Sequence, residues 1–143
     1  MSTADRFVAA ARSYVGTRFV HQGRAPGAGL DCLGVVVCAA EAAGVPLRDV
    51  RTYRRAPDPR QLLAELDAQL DRVATSDARA GDVAAFWCDK PGRVRHVGVI
   101  FAHGERLGVV HALAFEREVR EHGLAGQWAG RLAAVYRLRG AGA

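Results

Sequence analysis

The stretch "GLDCLGVVVCAAEAAG", Gly29 to Gly44, can be read as a strand or as a helix, and the fold turns on that choice. Three consecutive valines speak for a strand. The alanine-rich continuation, Gly44 where a left-handed C-terminal cap would fall, and Pro46 just beyond speak for a helix over 32–43. Asp31 then stands at the N-cap. In such a helix six residues rise roughly 9 Å and turn about 600°, so Cys32 and Cys38 point to different faces. A disulfide between them is excluded, because bridged Cα atoms lie within about 7 Å. Cys38, inside "VVVCAA", reads as a small buried hydrophobe. Cys32 follows a glycine-rich loop and opens the helix, where unpaired N–H groups and the positive dipole end stabilise a thiolate and can hold an oxyanion. On the residues alone, Cys32 is either a nucleophile or a buried cysteine at a loop-to-helix junction.

Upstream, Phe7, Val8, Ala11, Tyr14 and Val15 recur at helical spacing over 4–15, and Gly16 ends the run. Residues 16–30, with Pro26 and several glycines, read as a loop. Downstream, Asp58 as cap and Pro59 in the first turn start a helix with Leu62, Leu63, Leu66 and Leu70 on one face. After Asp71 come five strand-length runs: "GDVAAFW" (81–87), "HVGVIF" (96–101), "GVVHAL" (108–113), "REVREH" (117–122) and "AAVYRL" (133–138). Helices first and strands after predict an α+β fold, N-terminal helices packed on a small antiparallel sheet of about five strands. The 143 residues fit a single domain, 1–143.

The net charge of +5 is carried by arginine, since Lys90 is the only lysine. The arginines are scattered, with one cluster at "RTYRR" (51–55), and no aromatic interleaving suggests a nucleic-acid platform. No run approaches the roughly 20 apolar residues of a membrane span. Asp5, Arg6 and Arg12 interrupt the first apolar stretch, so the expectation is synthesis in the cytoplasm without a signal peptide. Cys88 is isolated, and neither CxxC nor HExxH occurs, so neither metal nor cofactor is expected.

A nucleophilic cysteine needs a base, and the base needs a group to fix its tautomer. His96 opens a strand-like run and His111 lies in the next. A hairpin across "AHGERLG" would let them meet on one face, in a register that the interval alone does not set. His103 reads as a turn residue and His122 as an exposed strand-end residue. His21 lies in the loop leading to Cys32.

In this order, "DCLGVV", "GDVAAFW", "HVGVIF" and "VVHA" resemble the motifs of the NlpC-type papain-like cysteine peptidases, and "VGTRFVHQG" is similar to that family's preceding loop. The flavour of residues 21–34 looks closest to the branch found in phage tails and gene-transfer agents. The resemblance implies Cys32 as nucleophile, His96 as general base and His111 as its orienter, with Asp31, Phe19, His21 and Leu33 at the substrate. It implies a cysteine endopeptidase cutting an amide in peptidoglycan stem peptides, between D-γ-glutamyl and a diamino acid, acting at the cell wall within a virion or tail-like particle. Leu33 and Phe19 replace a serine and a tyrosine. A tail-tip assembly part or peptidoglycan binder of the same fold, without catalysis, is the rival reading.

Overall fold

The computed structural model describes residues 1–51, 53 and 58–140. Most of the arginine cluster at 51–55 therefore lies outside the described residues. The chain begins with α1 (Thr3–Ser13), whose first turn is closed by a capping box between Ser2 and Asp5. A two-stranded ribbon follows, β1 (Arg24–Ala25) with β2 (Gly29–Leu30), within the segment expected to be loop. The deciding stretch is helical: α2 (Cys32–Ala42) is capped by Asp31, and Gly44 follows at φ +83°. Next comes α3 (Pro59–Gln69), with Asp58 accepting from the Arg60 amide.

The strands are β3 (Asp71–Val73), β4 (Asp82–Trp87), β5 (Val94–His103), β6 (Arg106–Leu113) and β7 (Glu118–Gly123). A short α4 (Gly126–Gly130) then leads into β8 (Leu132–Arg137). They form one antiparallel sheet in the order β3-β8-β4-β5-β6-β7. It has six strands rather than about five. The addition is β3, a three-residue edge strand with too little alternation to read as one in the sequence.

Period-2 alternation sorts the sheet's side chains into two apolar layers. Val83, Val97, Val99, Phe101, Val110 and Tyr136 face the helices and pack with Phe7, Val35 and Val36. Ala84, Phe86, Ile100, Val109 and Val135 face the other way, toward Trp128 of α4. Asp82, 1% exposed, takes both Nε and Nη2 of Arg137 at 2.8 and 2.9 Å and ties β4 to β8.

Two local features set the site. Gly34 lies so near the loop that a Cβ there would sit 2.2 Å from the Gly23 carbonyl oxygen, so only glycine lets this loop lie against the start of α2. In β5 the pairing with β4 slips by one residue: Phe86 faces His96, but Trp87 faces Val94. Arg95 is the extra residue of this bulge. Val94 and Val97 therefore both enter the helix-side core while His96 turns to the opposite face, the kind of re-aiming that bulges provide.

Candidate active site

Asp31 is 3% exposed and its carboxylate is saturated. One oxygen accepts from the Gly34 amide (2.8 Å) and Arg24 Nη1 (2.8 Å). The other accepts from the Gln22 amide (2.9 Å) and the Tyr53 hydroxyl. Four donors match the roughly four lone-pair positions a carboxylate offers. Arg24 is held in turn by Asp49 at 2.9 Å. This network locks loop, helix start and Tyr53 together, with Asp31 as the cap of α2.

The Cys32 sulfur is half-buried and within reach of the Val97 and Leu33 amides, which favour its thiolate. Burial, and then the Asp31 charge, outweigh them and push the thiol up to about 12. Because Val97 follows His96, the thiol sits against the bulged start of β5. Among the described residues, no hydrogen bond joins Cys32 to His96 in this resting geometry.

From His96 the polar path runs away from Cys32 across the sheet. His96 Nε2 lies 2.7 Å from His111 Nδ1, His111 Nε2 lies 2.8 Å from His122 Nε2, and His122 Nδ1 lies 2.8 Å from the Gly123 carbonyl oxygen. Strand register explains the file. In the β5–β6 hairpin Val99 pairs with Val110, which places His96 diagonally from His111; in β6–β7 His111 pairs with Arg120, which places His122 diagonally from His111. Ring centroids are 4.9 and 4.8 Å apart, the spacing of neighbouring strands. A Cβ on Gly98 would lie 3.1 Å from His111 Cβ and 2.6 Å from Val109 Cγ2, so the glycine leaves His111 its place. Trp128 covers the group, its ring 4.7 Å from that of His111 and 5.7 Å from that of His96.

Burial lowers His96 to about 4. Burial, together with His96 and His122 as like-charged neighbours, lowers His111 to about 2. The resting site thus holds a neutral thiol beside neutral imidazoles. Charge appears only when a proton moves from one partner to the other, so that each new ion offsets its neighbour.

The other sequence-derived candidates are spread around this centre. Phe19 packs against the helix-side core and bridges to Leu30. The His21 ring meets Tyr53 edge-on at 5.7 Å. Leu33 leans into an apolar groove with Val36, Val37, Leu47 and Leu62. Phe19, Val20 and Gln22 direct their amides to Arg117, Leu30 and Asp31, so among the described residues the His21 amide is the one of the 19–22 loop not so engaged. Cys38 is half-buried rather than core, its thiol 3.5 Å from the Arg24 carbonyl, and Cys88 is exposed in the β4–β5 turn.

Sequence reading placed His122 at an exposed strand end, and the structure corrects this: it is half-buried and bonded to His111. The signal for it was parity, since a short β6–β7 turn puts 122 on the face of 111. Trp128 carried no such signal.

No family model matches the chain. A probable endopeptidase of Corynebacterium glutamicum is 32% identical over 123 residues, 86% of this chain and 49% of that protein. The chain thus spans about half the length of the curated relatives it matches. Among solved structures, the NlpC/p60 domain of the peptidoglycan hydrolase SagA aligns with a TM-score of 0.65 at 24% identity, over 94% of this chain and 98% of that one. RipD of Mycobacterium tuberculosis, a non-catalytic NlpC/p60 domain protein adapted to peptidoglycan binding, aligns with a TM-score of 0.65 at 17% identity, over 96% and 98%. The fold is that of the NlpC/P60 domains.

Proposed function

We propose that the chain is a cysteine endopeptidase that hydrolyses an amide in peptidoglycan stem peptides, with Cys32 as nucleophile, His96 as base and His111 as orienter. The observation that carries this reading is Cys32 at the start of α2, against the amide that follows His96, with His96 heading a closed file of histidines. His96 Nε2 is committed to His111, so Nδ1 is the nitrogen left for the thiol proton. Transfer of that proton frees the thiolate to attack the amide carbonyl, and the oxyanion is received by the Cys32 and His21 amides. The C–N bond then breaks as His96 returns the proton to the leaving amine. Water, deprotonated by His96, cleaves the thioester and restores the thiol.

The bond between D-γ-glutamyl and a diamino acid is the proposed target. Delivery within a phage-tail or tail-like particle is proposed on the likeness of residues 21–34 to that branch. Digestion of purified peptidoglycan by wild type and Cys32→Ala, with mass spectrometry of the products, tests the assignment: new amine and carboxyl ends from wild type alone are expected, and equal release by the variant overturns it.

A second reading, a peptidoglycan binder without turnover, is favoured by three observations. Leu33 and Phe19 are apolar, Asp31 has its lone pairs filled, and the Cys32 thiol is pushed up. Pull-down on peptidoglycan without product formation would support it.

A further inference from the structure

The sense of the histidine file is set at its far end. The Gly123 carbonyl can only accept, so His122 Nδ1 carries the proton in that bond, and in the neutral ring Nε2 is then an acceptor. Its partner, His111 Nε2, must donate, which leaves His111 Nδ1 to accept. His96 Nε2 therefore donates, and the lone pair of His96 sits on Nδ1. Run in the reverse sense, the file would put two acceptors face to face at Gly123 and a proton on His96 Nδ1, where a base is needed.

We propose that His122 is a positioning residue: through its bond to His111 it sets the tautomer of His96 so that Nδ1 is free to accept the proton of Cys32. This deepens the proposed peptidase reading and rests on it for its consequence in turnover, whereas the tautomers themselves do not depend on it. The burial pattern agrees. His111 is fully buried and cannot exchange partners with solvent, while His122 is half-buried at the mouth of a pocket lined by Leu113, Phe115, Glu116, Arg120 and Trp128. The file thus has a sealed middle and one end that faces a polar surface.

What His122 supplies is an acceptor, and substitutions separate acceptor from donor. In His122→Gln the side-chain carbonyl can accept from His111 Nε2 near the position of the lost ring nitrogen. His122→Lys presents only donors there, which forces His111 to donate from Nδ1 and His96 to carry its proton on Nδ1. The experiment is 15N NMR of imidazole-labelled protein, which distinguishes the two neutral tautomers, alongside steady-state turnover of muropeptides. Expected are the Nε2–H tautomer of His96 in wild type and His122→Gln, with kcat of the Gln variant within about threefold of wild type. In His122→Lys the Nδ1–H tautomer and a fall in kcat of about 10²-fold at unchanged KM are expected. Should the Lys variant fail to fold, His122→Ala replaces it, with both His96 tautomers populated. An unaltered Nε2–H signal of His96 in whichever of these two is measured overturns the proposal. If wild type turns over no muropeptide, the peptidase reading fails and the NMR result still decides the role of His122.

Discussion

Two buried polar networks meet at Cys32, and they are built on opposite principles. On the helix side, one carboxylate is surrounded by four donors, among them the charged Arg24. Across the sheet, three imidazoles stand in single file, with one bond between each pair and His96 and His111 held neutral by burial. The first network is charged and radial: every partner holds the same point, and none can reverse its role. The second is directional, because each neutral imidazole donates from one nitrogen and accepts at the other. A radial charged network fixes positions, and a directional neutral one fixes the place of a proton. On the proposed reading Asp31 serves stability and the histidines serve chemistry, although Asp31 is the neighbour of Cys32 in sequence and His122 is 90 residues away.

Substitutions on the two sides should separate accordingly. On the proposed reading, His96→Gln, whose side-chain amide can still bond His111, is expected to lower kcat by about 10²- to 10⁴-fold, the usual worth of a general base, with a urea midpoint closer to wild type than that of an Asp31 variant. A midpoint that falls as far as in an Asp31 variant would erase the contrast. Asp31→Ala leaves the buried Arg24 with Asp49 as its remaining acid and removes the cap of α2, so a loss of about 3 kcal/mol is expected in urea unfolding. A loss below about 1 kcal/mol would show that Asp31 is not the anchor described.

Acid sharpens the comparison further. His96 and His111 are lowered on folding, so below about 6.5 the unfolded chain binds more protons than the folded one, and stability falls as pH falls. Each contributes a slope of up to about 1.4 kcal/mol per pH unit between pH 6.5 and about 4. Thermal melts of wild type and His111→Phe over that range should diverge, wild type losing more; parallel curves would contradict neutral burial. The smallest effect is expected at the exposed Arg12–Glu121 pair, 2.9 Å apart, where Arg12→Ala should cost no more than about 1 kcal/mol.

Much of this was legible in the chain. Helix α2 followed from alanine after valine, and its ends from Asp31 and Gly44, because capping is a local matter of backbone geometry and a few side-chain atoms. The core runs of β4, β5, β6 and β8 followed from apolar runs of strand length. What escaped were features that depend on register. β3 is too short to alternate, the ribbon at 24–30 is held by two pairs, and the Arg95 bulge shows only when β5 is laid against β4.

By itself the sequence determined the α+β order of elements, the helix that starts at Cys32, and the presence of histidines in successive strands, since each depends on neighbours within one or two turns of chain. Only the tertiary structure decided that Asp31 is saturated, that the Cys32 thiol lies beside the residue after His96, and that His122 closes the file. These depend on how far one strand slides past the next, and a shift of one residue would turn every side chain to the other face of the sheet.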